Sequence, residues 1–161
     1  MRKLKLYLDT SVISHLKADD TPDKMADTVL LWQQIVMEKY DIYISDVTMN
    51  EILKCKEPKQ SFMLAKLSEI KYTLVPLSEG TDELSEKIIE LGILKRKHID
   101  DCSHIAAAIM SECDYIVSWN FKHMVNIKTV NGVRAVTNLL GYQSIDIIQP
   151  TMLIQGDDND D

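Results

Sequence analysis

The sequence predicts an α/β domain built on a mainly parallel sheet. Three observations point there: short apolar or alternating runs typical of strands, longer stretches with apolar residues at helical spacing, and the regular alternation of the two along the chain. Parallel strands need a long crossover between them, usually a helix, and the alternation supplies one each time.

The elements follow in order. Leu4, Leu6 and Leu8 alternate with Lys5 and Tyr7, the period of a half-buried strand, which Asp9-Thr10-Ser11 closes. Thr21-Pro22-Asp23 is a helix start, and Met25, Val29, Trp32, Val36 and Tyr40 recur behind it at helical spacing, a stripe suited to the core or to a dimer face. Asp41-Ile42-Tyr43-Ile44 is a second short strand, and Ser45-Asp46 caps a helix that carries Glu51. A further helix covers Lys59 to Glu69, and Tyr72 to Val75 is a third strand ending at Pro76. Leu84, Ile88 and Leu91 mark one face of the next helix. Asp100 or Asp101 caps another, running through His104 to Ile109. Tyr115-Ile116-Val117 is a fourth strand, and Ile145 to Ile148 reads as a fifth. Without an internal repeat or a linker, residues 1–155 read as one domain, followed by an acidic tail, 156–161, expected to be disordered.

Composition narrows the function classes. With 161 residues, 45% hydrophobic and 27% charged, the chain is neither a disordered polypeptide nor a collagen-like or disulfide-stapled one. Four tail aspartates carry −4 of the net charge of −7, leaving −3 on residues 1–156. A mildly acidic body is a poor match for a protein held to nucleic acid by charge alone, but not for a nucleic-acid enzyme whose metal ions supply positive charge locally. Cys55, Cys102 and Cys113 have no CxxC spacing and read as ordinary core or half-buried thiols. His15, His98, His104 and His123 are too scattered in sequence to suggest a zinc cluster. No apolar run approaches a membrane span. Asp9 cuts short the stretch behind the basic head Met1-Arg2-Lys3-Leu4-Lys5, which implies a cytoplasmic protein.

The chemistry lies in where the carboxylates fall. In open α/β sheets, ligand sites form beyond the carboxyl ends of the strands. Asp9 sits past the first strand, Glu51 on the helix after the second, Asp101 at the start of the helix feeding the fourth, and Asn120 just past the fourth. All four can therefore converge. Converging carboxylates repel unless protons or a cation intervene, and an all-oxygen set suits a hard ion such as Mg²⁺ or Mn²⁺. Such an ion can generate a hydroxide, orient a phosphodiester and stabilise its leaving oxygen, so phosphodiester hydrolysis is the chemistry best suited to the set. Each residue alone also has a plainer reading: Asp101 and Asp100 as helix caps, Glu51 as a solvated helix residue, Asn120 as a strand terminator.

Four segments resemble one family. Leu6-Tyr7-Leu8-Asp9-Thr10-Ser11-Val12-Ile13 resembles the opening of PIN-domain nucleases, Asn50-Glu51-Ile52 their second acid, and Asp101-Cys102-Ser103-His104-Ile105-Ala106-Ala107-Ala108 their third-acid segment. Ser118-Trp119-Asn120-Phe121-Lys122-His123 resembles the segment that closes the site. The resemblance spans about Leu4 to Ile148. It implies a three-layer α/β/α fold and Mg²⁺- or Mn²⁺-dependent RNA cleavage, with Asp9, Glu51, Asp101 and Asn120 as the metal-holding and catalytic set. It further implies a VapC-type toxin, paired with a cognate antitoxin and often dimeric. Asn120 departs from the pattern, standing where many members have a further Asp; an amide oxygen can still ligate a hard ion, with weaker binding expected.

Further residues join the expectation. Ser118 is a candidate to support the site through a hydrogen bond and Ser11 to do the same for Asp9, with local turn capping an equal reading of Ser11. His104, three residues after Asp101, shares its helix face and reads more readily as a packed or hydrogen-bonded histidine than as a general base. Lys95, Arg96, Lys97 and Lys122 are candidates for contacts to RNA phosphates, against the plainer reading of basic surface residues near a helix end. Two other functions compete: a PIN-like module that binds RNA or a protein without cutting, favoured by Asn120, and a phosphatase using Asp9 as nucleophile, which lacks the expected DxD because position 11 is Ser.

Overall fold

Leu6, Tyr7 and Leu8 are wholly buried, so β1 (Lys5–Leu8) runs through the middle of the sheet rather than along its edge. The computed structural model describes residues 2–154, and the acidic tail expected at 156–161 lies outside them. β2 (Asp41–Ser45) and β4 (Tyr115–Val117) flank β1, β3 (Thr73–Val75) lies beyond β2, and β5 (Asp146–Ile148) lies beyond β4. The order is β3-β2-β1-β4-β5 and every pairing is parallel, with Tyr7 opposite Tyr43 on one side and Ile116 on the other.

Because strand side chains alternate between faces, β1 feeds two cores. Tyr7 points into one with Ile88, Ile105, Ile109 and Val133, under α5 (Glu79–Glu90), α6 (Ile99–Met110) and α7 (Ile127–Leu140). Leu6 and Leu8 point into the other with Val12, Leu31, Trp32 and Met63, under α1 (Thr10–Ser14), α2 (Pro22–Val36) and α4 (Lys59–Leu67). The result is the expected three-layer α/β/α arrangement, and no buried side-chain nitrogen or oxygen among the described residues lacks a partner. No described helix is long and apolar enough to cross a membrane.

Local expectations hold with shifted ends. Ser45 caps α3 (Asp46–Leu53), its hydroxyl accepting from the Val47 amide. The second helix stops at Val36, and Tyr40 packs instead from the turn before β2. Asp100 and Asp101 are not caps of α6: His98 occupies that position, and both aspartates sit in the first turn, where negative charge meets the positive helix end. Three helices were not expected: α1, α8 (Thr151–Ile154) and above all α7, started by Asn126, which accepts from the Thr129 amide, and ended by Gly141 with φ +77°. Cys102 and Cys113 are buried and Cys55 half-buried, all three as free thiols.

Candidate active site

The sheet order reverses direction at β1: strands two and three lie to one side, four and five to the other. The crevice beyond the carboxyl ends of β1 and β4 is therefore where this architecture leaves room for a ligand. Asp9 follows β1 there and is 4% exposed. It caps α1, one carboxylate oxygen accepting from the Ser11 amide at 3.0 Å and from the Ser11 hydroxyl, while the other accepts from the Ser118 hydroxyl. Burial holds its carboxyl above the usual range; the His104 charge and the two serines pull it down, and Asp101 pushes it further up.

Glu51 reaches the same edge from α3. Its Oε1 accepts from Thr10 Oγ1 at 3.2 Å and pairs with His104 Nε2 at 2.5 Å. Burial would raise this carboxyl, but the His104 bond and charge outweigh it and the group lies below its usual value. His104 is buried on α6, with its other ring nitrogen 2.6 Å from the Tyr7 hydroxyl, which in turn lies 2.7 Å from Ser45 Oγ. Burial lowers the His104 pKa, yet the Glu51 bond and the charges of Asp9, Glu51 and Asp101 leave it raised. The three carboxylates together thus favour the charged form of His104 against the cost of its burial.

Asp101, in the first turn of α6, pairs through Oδ2 with His123 Nδ1 at 3.1 Å. Burial raises its carboxyl, with Glu51 adding to the rise and both histidines opposing it. Asn120 completes the circuit: its amide N–H donates to Ser118 Oγ at 2.9 Å, and its side-chain Oδ1 accepts from the His123 amide at 3.0 Å. A chain of hydrogen bonds through Ser118 and His123 therefore joins Asp9, Asn120 and Asp101, while Glu51 is tied to Thr10, the residue after Asp9, and to His104. Three carboxylates and one amide oxygen are donors of the type a hard ion prefers. Glu51 Oε2 and Asp101 Oδ1 take no hydrogen bond among the described residues, while the Asn120 oxygen is already engaged as a loop cap.

Of the expected phosphate contacts, Lys95, Lys97 and Lys122 line a shallow hollow of about 250 Å³ beside Asp101, together with Lys128, His98 and His123. Arg96 is engaged elsewhere, its guanidinium gripping both Glu86 oxygens at 2.9 and 2.6 Å. Lys128 was missed because its helix was. One expectation is corrected: the histidines are not all scattered. The His98 and His123 rings lie against each other, tilted by 35° with centroids 3.7 Å apart, and one nitrogen of each lies with an Asp101 oxygen in a group spanning no more than 4.8 Å. Asp9, nearly buried and held at both oxygens, is poorly placed as a free nucleophile.

No family model matches the chain, and no curated protein does. Among solved structures, it is similar to a chain in the crystal structure of VapBC2 from Rickettsia felis bound to a DNA fragment from their promoter, at 15% identity and a TM-score of 0.54. The match covers 91% of this chain and 98% of that one. The likeness is one of fold. It agrees with the PIN-like three-layer architecture and carries no side chain with it.

Proposed function

We propose that residues 1–155 form a PIN-like, Mg²⁺- or Mn²⁺-dependent endoribonuclease, the toxin of a cytoplasmic toxin–antitoxin pair. What supports this reading is that the charges of Asp9, Glu51 and Asp101 all act on His104 beside the switch point of a parallel sheet, each carboxylate tied in place by a different neighbour. An ion bound among them would supply Lewis acidity to a phosphodiester and lower the pKa of a water. The remaining work belongs to the chain. Ser11 and Ser118 fix Asp9, His104 and Thr10 fix Glu51, and His123 fixes Asp101. Lys95, Lys97 and Lys122, with Lys128, receive phosphates on either side of the bond to be cut, and Arg96 stands next to them. The solved complex of similar fold supports an antitoxin partner for this chain. A homodimer fits the apolar groove of α2, where Val29, Trp32, Val36 and Met37 line about 590 Å³ of open space.

A second reading rests on Asn120, which lacks the charge of a fourth acid and spends its oxygen on the His123 amide: a PIN-like module that binds RNA or protein and cuts slowly or not at all. Incubating a mixed RNA pool with Mg²⁺ or Mn²⁺, against EDTA, decides between them. Cleavage that needs the ion and is lost in Asp101→Asn supports the nuclease. RNA or partner binding without cleavage in either metal supports the module.

A further inference from the structure

We propose that His98, Asp101 and His123 form a second metal centre, distinct in chemistry from the carboxylate cleft, that takes a borderline divalent cation such as Zn²⁺ or Co²⁺. His98 stands at the N-cap position of α6 and Asp101 lies three residues on, so both side chains lie on the same side of the helix start. His123 comes from the loop between β4 and α7, and its ring lies against that of His98 at a 35° tilt. That loop is pinned on both sides: the Asn120 oxygen accepts from the His123 amide, and the Asn126 side chain donates to the Phe121 and Lys122 carbonyls at 3.0 and 3.1 Å.

The geometry is close to what an ion needs. Ligands of a tetrahedral ion at about 2.0–2.1 Å stand roughly 3.3 Å apart. His123 Nδ1 and Asp101 Oδ2 are already 3.1 Å apart, and no pair among the three ligand atoms exceeds 4.8 Å. All three residues are half-buried, and the widest pair has to close by no more than about 1.5 Å to reach that spacing. Two imidazoles and one carboxylate select a borderline ion over Mg²⁺, which prefers oxygen. Three protein ligands also leave a position open. It lies beside the hollow lined by Lys95, Lys97, Lys122 and Lys128, whose exposed ammonium groups are solvent-screened and suited to an anionic fourth ligand such as a phosphate oxygen. This site does not depend on the nuclease reading. Asp101 is the residue common to both, through Oδ2 here and the free Oδ1 there.

The test is Zn²⁺ binding by untagged full-length protein, measured by competition with a chromogenic chelator and repeated with Co²⁺ by visible absorption. Wild type should bind one Zn²⁺ per chain. His98→Ala and His123→Ala should each bind at least tenfold more weakly, the fall that even an outer partner of a ligating histidine causes. Asp9→Asn, which disarms the carboxylate cleft, should bind Zn²⁺ within threefold or so of wild type. Histidine ring resonances of wild type give a reading that needs no variant: Zn²⁺ should move those of His98 and His123 and leave His15 in place. Absence of Zn²⁺ binding, binding that survives either histidine substitution, binding lost in Asp9→Asn, or an unmoved His98 or His123 resonance would each overturn the proposal. Failure of RNA cleavage with Mn²⁺ while Zn²⁺ still binds would sink the nuclease reading alone.

Discussion

Replacing His104 with Ala removes the buried ring that pairs with Glu51, and the cost follows from its contacts. The ring is 2% exposed and bonded at both nitrogens, to Glu51 at 2.5 Å and to the Tyr7 hydroxyl at 2.6 Å. A hydrogen bond to a charged partner contributes about 1.5–3 kcal/mol. The Glu51 side chain is 35% exposed and can rehydrate, so the lower end, about 1.5 kcal/mol, applies. Tyr7 keeps Ser45 and loses one of its two bonds, about 1 kcal/mol. The vacated ring, edge-on to Tyr7 at 5.7 Å between centroids, leaves a cavity worth about 1 kcal/mol or more. His104→Ala should therefore lose about 3–4 kcal/mol, which for a domain of this size lowers Tm by on the order of 10 °C. The loss must also depend on pH. The raised His104 pKa contributes stability that is complete below its ordinary 6.5 and fades as pH rises through the folded value. The lowered Glu51 pKa contributes stability that is complete above its ordinary 4.5 and fades as pH falls through the folded value. Urea unfolding across pH in EDTA should thus show the wild-type advantage greatest between those two values and smaller on either side. A difference below about 1 kcal/mol at mid-window, or one that stays flat from acid to alkaline pH, would refute the ion pair.

Three further outcomes are expected. In EDTA, Asp101→Asn should raise stability by about 1 kcal/mol or less, since burial and Glu51 disfavour its charge, while Asn120→Asp should lower it; saturating Mn²⁺ should raise Tm least in Asp101→Asn and most in Asn120→Asp, as thermal melts will show. Gly132→Ala in α7 would set a Cβ 2.7 Å from Cγ1 and 2.8 Å from Cγ2 of Ile93, so overpacking should outweigh the helical gain and cost about 1–2 kcal/mol in urea unfolding; an unchanged midpoint would contradict it. Thr28→Val removes the acceptor 2.8 Å from the buried Trp119 Nε1 and should cost about 1–3 kcal/mol, read by denaturation monitored through tryptophan fluorescence.

What could be read from sequence was local. The central strands announce themselves because they are short and apolar: Leu6 to Leu8 and Tyr115 to Val117 carry no competing helical period. Asp9, Glu51, Asp101 and Asn120 could be placed at one edge because strand ends and helix starts fix direction before any contact is known. α7 escaped notice although Asn126 and Gly141 mark its ends, since Ile127, Leu139 and Leu140 are exposed and Gly132 interrupts the Val130–Val133–Val136 stripe. The pairing of His104 with Glu51 joins residues 53 apart and that of His123 with Asp101 residues 22 apart. Neither spacing is periodic in a helix or a strand, so only tertiary packing could disclose them.

Those pairings explain how an acidic cleft is kept in order at all. Carboxylates brought together without an ion would swing apart or draw protons, and a site that must be preformed needs rigid support for each. Here each acid is held by a group from a different element: Asp9 by Ser118 after β4, Glu51 by His104 on α6, Asp101 by His123 in the loop before α7. The supports are themselves anchored, His104 through Tyr7 to Ser45 and His123 through Asn120 to Ser118. Asn120 therefore has work to do without a charge. An aspartate there could still cap His123, but it would add a fourth carboxylate beside Asp9, Glu51 and Asp101, two of which already have their charge disfavoured by burial. The amide keeps the scaffold and spares the repulsion, at the expense of grip on an ion.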